Sequence, residues 1–453
     1  MVKIKTAKAN PTKAFFVRMI TRDISLEDCI LDLIDNSVDG AWEKEGSRPM
    51  FINDQVDLSE YKIDIEFSQD QFRIIDNCGG ISLDKAAEYA FTFGRKEKET
   101  HENYSIGVYG IGMKRAIFKM GTRIEIRSTY KENDGKREAF LVPIDVKKWL
   151  KGGETEHWDF DIEDATKLSK DGVEIIIKKL LDATSSAFGS PEFIQNLKRT
   201  LERDYAIHLH RGLKISLNGK KLKGWEIEFQ EGKDFAPMRV QYAEQENGGE
   251  VSVEILAGMA SQPSEDADAD DRSKTVRRSG WYVICNGRIV LAADQSTDTG
   301  WGTSGWPIWH PQYSGFMGLI FFSSENAGLL PITTTKRNVD QSSNVFRRAL
   351  PKMRNVTKEW VSYTSVRKQN LDEAKKLEVA VKAKPIFALD SRANVVLPKL
   401  TPKPKVLMAN IAYSVTKERF QKVADELGNI NMSYREAGIK TFDYVYSDLV
   451  GED

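Results

Sequence analysis

Carboxylate and amide side chains recur along one face of an early segment of the chain. In residues 25–46, SLEDCILDLIDNSVDGAWEKEG, the residues Asp28, Asp32, Asn36 and Asp39 are three or four positions apart, so they share one face of a helix. An Asn oxygen can bind Mg²⁺, which prefers hard oxygen ligands and keeps several waters. A carboxylate one turn earlier can hold a water for attack. An acidic, solvated helix face would show the same pattern.

A tight turn follows a strand-like segment. Residues 61–76, YKIDIEFSQDQFRIID, alternate in polarity like a β-hairpin and lead into DNCGG, residues 76–80. Asp76 can accept a hydrogen bond from the amine of adenine. Gly80 lets the backbone approach a flat ligand closely. A plain turn is the alternative interpretation.

A glycine-rich loop comes next. In IGVYGIGMKRA, residues 106–116, Gly107, Gly110 and Gly112 precede a helix-compatible run. Such a loop directs backbone N–H groups and the positive end of a helix dipole at an anion, and Lys114 adds a full charge. Neither the GxxxxGK[ST] phosphate loop nor the dinucleotide fingerprint fits this segment.

The elements that position these residues follow from apolar spacing. Leu26, Ile30 and Leu33 begin a stripe that repeats every three to four residues and predicts a buried helix. Ser25 is the expected N-cap, with Asp28 as the carboxylate of a capping box.

The order of the three motifs resembles the GHKL ATPase superfamily, which includes gyrase B subunits, MutL mismatch-repair proteins, large heat-shock chaperone ATPases, Morc proteins and sensor histidine kinases. The resemblance is closest to Morc-like and MutL-like stand-alone members. DGVEIIIKKL resembles the strand that closes the ATPase domain, GWYVICNGRIVL resembles a transducer strand, and LLPITTTKRNVD resembles the loop with the switch lysine. A histidine kinase is the least similar relative, because no histidine stands on a dimerisation helix before the motifs.

This resemblance implies a fold class and a division of the chain. The class is α/β: a GHKL two-layer α/β sandwich ATPase domain, then a transducer domain with a ribosomal-protein-like βαβ fold, then a helical C-terminal region. The expected segments are a basic N-terminal arm at 1–22, an ATP-binding domain at 23–180, a transducer domain at 181–343, a basic helical region at 344–384, and a linker with a small C-terminal region at 385–453.

The resemblance also implies the site. Asp32 would be the base that holds water, Asn36 the Mg²⁺ ligand, and Lys336 the residue that reaches the γ-phosphate of ATP from the second domain. The implied nucleotide contacts are Asn36, Asp76, Gly80, Thr92, Gly107, Gly110, Ile111, Gly112, Met113 and Lys114, with a lid between Thr92 and Lys114 that ATP orders.

Three positions depart from the family pattern. Asp32 stands where the family usually has Glu, so slower hydrolysis is expected. Cys78 stands where the first glycine of the turn is common. Val173 replaces a frequent Thr, which removes one hydroxyl near the adenine.

Charge is distributed unevenly along the chain. The 66 basic and 67 acidic residues give a net charge of −1. Residues 1–22 nevertheless hold six basic and no acidic residues, and residues 344–384 hold eleven basic and four acidic ones. Solvated surface and phosphate binding both remain possible for these stretches. The chain has no apolar run of membrane-spanning length and no secretory signal pattern, so we expect a cytoplasmic protein.

By this resemblance, the protein would be an ATP-driven switch in which two chains close as a homodimer and the N-terminal arm of one chain crosses over to the other. Three functions are compatible with such a switch. The dimer could close as a clamp on DNA through the arm and the basic helix, with bacterial defence as one setting. It could be a chaperone-like clamp on protein clients. It could also be a nucleotide sensor with slow turnover that regulates a partner effector, which the shorter Asp32 favours.

Other candidate chemistry is sparse. His208 and His210 would share one strand face but have no third ligand. Cys285 is expected to be buried, and the three cysteines have no metal or disulfide spacing. The aromatic run 301–313, WGTSGWPIWHPQY, is either a packed loop or a partner surface. We expect VLPKLTPKPK, residues 396–405, to be an extended linker.

Overall fold

An eight-stranded sheet forms the base of the first domain, in the order β5–β4–β3–β6–β2–β1–β7–β8. The computed structural model describes residues 11–46, 52, 56–93, 104–107, 110–151, 158–263, 276–303, 305–401 and 409–451. All pairings in this sheet are antiparallel except that of β1 with β7. The strands are β1 Lys62–Phe67, β2 Gln71–Asp76, β3 Gly121–Lys131, β4 Arg137–Asp145, β5 Glu163–Asp164, β6 Gly172–Leu180, β7 Lys214–Leu217 and β8 Lys220–Lys221.

The sheet extends past the expected domain boundary at residue 180. Strand β6 ends at Leu180, but β7 and β8 come from the following segment. Ile63 of β1 is in register with Ile215 of β7, and both side chains are buried. This pairing covers backbone N–H and C=O groups that an edge strand would expose.

Eight helices of the described residues belong to this part of the chain. The predicted helix over the first motif is confirmed: it begins after Ser25, whose Oγ accepts a hydrogen bond from the N–H of Asp28 at 3.0 Å. The helices are α1 Lys13–Arg22, α2 Leu26–Lys44, α3 Leu83–Lys85, which continues as a π-turn at Ala86–Ala90, α4 Gly112–Met120, α5 Val146–Lys151, α6 Asp182–Phe188, α7 Pro191–Asp204 and α8 Ala206–His210.

The N-terminal segment is not an unattached arm throughout. Residues 13–22, part of the expected basic arm at 1–22, form helix α1 and contact α4. The Lys13 ammonium is buried over the Trp149 ring and donates to the Trp149 carbonyl at 3.3 Å. Phe16 packs edge-on against Phe93. Aromatic contacts therefore hold a basic helix to the domain, and residues 1–10 lie outside the described residues.

A second, five-stranded sheet follows in the order β10–β11–β14–β12–β13, with β12 and β14 parallel. All residues of β12 and β14 are buried, as expected for central strands covered on both faces. The predicted burial of Cys285, in β12, is confirmed. The five strands are β10 Met238–Glu246, β11 Gly249–Met259, β12 Gly280–Cys285, β13 Arg288–Asp294 and β14 Phe316–Ser323. A separate two-stranded sheet pairs β9 Glu228–Glu231 with β15 Lys382–Pro385.

The basic region forms two helices, α9 Asn344–Arg367 and α10 Leu371–Val379. Pro351 lies inside α9, and the helix continues through this residue. Proline removes one N–H from the helical ladder. The buried stripe of α9, which includes Met353 and Trp360, continues past it, so packing outweighs that loss.

The stretch after β15 is packed rather than extended as a linker. Ala236 and Val396 form an antiparallel bridge, as do Arg239 and Arg392, and Leu400 is buried. The chain divides into units at 1–402 and 403–453. Residues 402–408, which include the last four residues of the predicted linker at 396–405, lie outside the described residues.

The C-terminal unit contains helices α11 Lys417–Glu426 and α12 Tyr434–Val450. Its core is the small cluster of Ala424, Met432 and Ala437. In the part of the chain that the structure describes, no helix combines the length and the apolar character needed to cross a membrane.

Candidate functional site

The turn after β2 holds Asp76 by three hydrogen bonds. The Ser37 hydroxyl of α2 donates to its Oδ2 at 2.6 Å, and the N–H groups of Cys78 and Val173 donate to its Oδ1 at 2.9 and 3.2 Å. Burial raises the pKa of the Asp76 carboxyl, although these three bonds oppose the rise. Asp76 is thus fixed in orientation between α2, its own turn and β6.

Two glycines let the turn take its shape. Gly79 and Gly80 have φ of 117° and 71°, values that favour glycine, and a Cβ on Gly80 would overlap the Thr129 carbonyl oxygen. The backbone φ of Cys78 is not positive, so a side chain at this position of the turn causes no backbone strain. At Val173 the backbone N–H serves Asp76, so the missing threonine hydroxyl does not leave this carboxylate without a donor.

Helix α2 also fixes the start of the glycine loop. Asn36 is exposed on α2. One turn later, the Asp39 carboxylate accepts from the N–H groups of Ile106 and Gly107 at 2.7 and 3.0 Å. The sequence placed Asp39 on the polar face but gave it no role. Its position beside Asn36 and Ser37 means that one helix contacts both the glycine loop and the Asp76 turn.

The end of the glycine loop leads into α4. Ile111 is the N-cap residue of α4, Gly110 has φ of 65°, and Met113 packs partly buried against the core. A Cβ on Gly112 would lie 3.2 Å from Cγ of Asp32, so the α4 N-terminus approaches that carboxylate closely. Residues 94–103, 108 and 109, the remainder of the expected lid, lie outside the described residues.

Lys114, an implied nucleotide contact, binds backbone carbonyl groups of its own domain. Its ammonium is buried and donates to the carbonyl oxygens of Ala90 and Thr92 at 2.9 and 2.7 Å. The Thr92 hydroxyl donates to the Tyr89 carbonyl at 2.8 Å. Lys114 therefore joins α4 to the end of the segment after α3 through two backbone carbonyl oxygens.

The two predicted catalytic residues are in direct contact. Lys336 lies between β14 and α9, and its buried ammonium is 3.2 Å from Asp32 Oδ1 and 2.7 Å from Asp35 Oδ2. Burial alone would lower the pKa of Lys336, but the charges of Asp35 and Asp32 raise it overall. The loop holds Lys336 at φ of 55°, a conformation that costs a non-glycine residue free energy.

Asp35 lies at the centre of a buried network that the sequence did not indicate. Arg288 of β13 forms an ion pair with Oδ2, and the Tyr205 hydroxyl donates to Oδ1 at 2.7 Å. Burial favours the neutral carboxyl, but Arg288 and Lys336 lower the pKa of Asp35 overall. Asp35 directly precedes Asn36 in the sequence; its partners come from distant segments, so no local spacing identifies them.

Two arginines complete the contacts on this face of α2. Arg115 of α4 donates from Nε to Asp32 Oδ2 at 2.6 Å. Arg337, next to Lys336, forms ion pairs with Asp28 of α2 and Asp204 of α7. The acidic face predicted from Asp28 and Asp32 therefore receives cations from α4 and from the loop after β14, and is not simply solvated.

Other predicted candidates do not form sites. His208 and His210 lie on helix α8 rather than on a strand, and within the described residues no group of three or more His, Cys, Asp or Glu side chains could hold a metal. In the aromatic run, Trp301, Trp306 and Tyr313 are buried. These three side chains pack as expected for a loop, whereas Ile308 of the same run is exposed.

Comparison with known proteins matches one segment. Residues 24–161 match the family described as histidine kinase-, DNA gyrase B-, and HSP90-like ATPases. The match covers α2, the Asp76 turn and α4, and it supports the GHKL superfamily, ATP binding and ATPase activity for this segment. No curated protein matches the sequence.

Proposed function

We propose that the protein is an ATP- and Mg²⁺-dependent ATPase in which Lys336 reports the state of the nucleotide. The observation that carries this proposal is the contact of Lys336 with Asp32, a residue that lies within the matched ATPase segment. A lysine from beyond that segment touches the carboxylate expected to activate water. Nucleotide chemistry and the position of the loop after β14 are therefore coupled.

The residues of α2 and the β2 turn fit a nucleotide with Mg²⁺. Asp76 would accept the adenine amine, because its Oδ2 accepts a hydrogen bond from the Ser37 hydroxyl and a carboxylate oxygen can accept a second one. Asn36 has an exposed side chain and fits a Mg²⁺ ion that binds one protein oxygen and keeps its waters and phosphate oxygens. When bound, Mg²⁺ neutralises charge that develops on the phosphates.

In the proposed cycle, Lys336 leaves the carboxylates of Asp32 and Asp35 and binds the γ-phosphate of ATP. Asp32 then keeps Arg115, and Asp35 keeps Arg288. Neither buried carboxylate is left without a cation, which would otherwise cost several kcal/mol. Water attacks the γ-phosphorus, one of its protons passes to Asp32, and the bond to the β–γ bridging oxygen breaks with its electron pair on ADP.

The test is nucleotide binding and turnover by the wild type, Asn36→Ala and Asp32→Ala. We expect Asn36→Ala to lose Mg²⁺-dependent ATP affinity. Asp32→Ala should keep affinity and lose turnover by roughly 10²–10⁴-fold, the usual contribution of a positioned base. Unchanged ATP affinity of Asn36→Ala in Mg²⁺ would refute the site.

A second candidate is a nucleotide sensor with little turnover that regulates a partner effector. Both oxygens of Asp32 are in ion pairs, with Arg115 and Lys336, and Asp is one methylene shorter than the Glu usual in the resembling family. Tight ATP binding by the wild type without steady-state hydrolysis would favour this candidate. Clear turnover that is lost in Asp32→Ala would exclude it.

For the output we propose closure of two chains as a clamp on DNA. The support is the basic excess of residues 344–384, of which Arg347, Lys358 and Lys368 are exposed. Others are engaged within the protein: Arg348 pairs with Glu244. DNA affinity should fall steeply with salt. A flat salt dependence, with ATP-dependent suppression of client aggregation, would favour a chaperone-like clamp.

A further inference from the structure

Arg115 bridges the expected base and the loop of Lys336. Its Nε donates to Asp32 Oδ2 at 2.6 Å, and both terminal nitrogens are 3.4 Å from the Thr334 carbonyl oxygen. The guanidinium and the carboxylate are both buried. One side chain of α4 therefore touches Asp32 and a backbone group two residues before Lys336.

The two oxygens of Asp32 have different partners. Arg115 holds Oδ2, while Lys336 lies at Oδ1. When Lys336 moves to a phosphate, Oδ1 loses its cation and Oδ2 does not. Arg115 thus determines which oxygen becomes available to water and which direction it faces.

The shorter side chain makes this orientation important. An aspartate carboxylate lies close to its own helix. The N-terminus of α4 also lies close to it, since a Cβ added to Gly112 would be 3.2 Å from Cγ of Asp32. Arg115 is three residues further along α4, so the same helix that closes over Asp32 also supplies its cation. A displacement of about 1 Å of a reacting group can cost roughly 10²-fold in rate.

We propose that Arg115 is a positioning residue for hydrolysis, which fixes Asp32 through Oδ2 so that Oδ1 accepts the proton of water. This inference rests on the proposed ATPase function. It assigns to the residue after Lys114 the role of orienting the base, whereas Lys114 itself binds carbonyl groups within the domain.

The test compares Arg115→Met, Arg115→Lys and the control Lys119→Met. Lys119 lies one turn further along α4, and its ammonium donates to the Thr21 carbonyl at 2.8 Å. Its substitution removes a cation and a carbonyl contact from the same helix without touching Asp32. Nucleotide affinity, kcat and KM are measured for each full-length variant.

We expect kcat of Arg115→Met to fall about 10- to 100-fold while its ATP affinity changes by less than roughly threefold. Arg115→Lys should recover part of the loss, because an ammonium can pair with Asp32 but lacks the planar fork. Lys119→Met should keep the wild-type kcat. Because Arg115 and Asp32 form a buried ion pair, Arg115→Met should also lower the free energy of unfolding, so ATP affinity decides the test. A purely structural role would lower ATP affinity together with kcat.

A double substitution shows whether Arg115 acts through Asp32. In single-turnover assays, Arg115→Met in the Asp32→Ala background should lower the rate by less than about twofold, since residues that act as a unit are not additive. Multiplied losses, or wild-type kcat in Arg115→Met, would overturn the role of Arg115 alone. Absence of turnover in the wild type would overturn the hydrolytic function and this role together.

Discussion

Protonation of His208 should destabilise the protein as the pH falls below 6.5. Its imidazole is fully buried on α8, and among the described residues neither ring nitrogen has a hydrogen-bond partner. Burial lowers the pKa of His208 from 6.5 to about 3; the charges of Arg211 and Arg288 lower it too, and the charge of Asp35 acts in the opposite direction. The folded protein therefore holds this side chain neutral.

The magnitude follows from the linkage of proton binding to folding. Between pH 6.5 and 3, the unfolded chain binds a proton at His208 that the folded chain does not, so stability increases with pH in this window. Each pH unit corresponds to about 1.4 kcal/mol. Going from pH 7 to pH 5 should therefore cost about 2 kcal/mol through this histidine alone.

The assay is urea unfolding of the wild type and His208→Gln at pH 7 and pH 5. Glutamine does not titrate, so the free energy of unfolding of the variant should fall by about 2 kcal/mol less than that of the wild type over this interval. The matched control is His210→Gln on the same helix. Because His210 is exposed, this substitution should leave the pH dependence of the wild type in place.

A wild type and a His208→Gln variant that lose equal stability between pH 7 and pH 5 would refute this reasoning. That result would mean that the buried imidazole is protonated in the folded state or is solvated by a local opening. His208→Gln is expected to be less stable than the wild type at pH 7, and only the difference between the two pH values carries the test.

Two further predictions concern packing and charge. Gly172→Ala places a Cβ on the carbonyl oxygen of Asp76, so we expect a loss of about 1–3 kcal/mol in unfolding free energy and weaker ATP binding, measured by denaturation and nucleotide titration. Stability unchanged by this alanine would contradict the close approach. Arg239→Met breaks a fully buried ion pair with Glu254 and should cost about 3–5 kcal/mol, whereas Arg348→Met removes a half-exposed pair and should cost about 0–1 kcal/mol. Equal unfolding free energies for the two methionine variants would refute the distinction.

Local patterns predicted the elements around the site well. The apolar repeat and the Ser25 cap specified α2, and alternation specified β1 and β2, because helix and strand periodicities depend on neighbouring residues. The glycines of the Asp76 turn were found for the same reason, since positive φ is a local requirement. The packing of residues 13–22 against the domain was not predicted, because the partners of Phe16 and Lys13 lie on distant segments.

The sequence by itself determined which residues could do chemistry here: a carboxylate and an amide one turn apart on α2, an aspartate before a glycine turn, and a lysine in a later loop. Only the tertiary structure decided their charge partners. Asp32 meets Arg115 and Lys336, and Asp35 meets Arg288. Ion pairing between residues far apart in the chain depends on how the sheets and helices pack, and side-chain spacing along one segment does not contain that information.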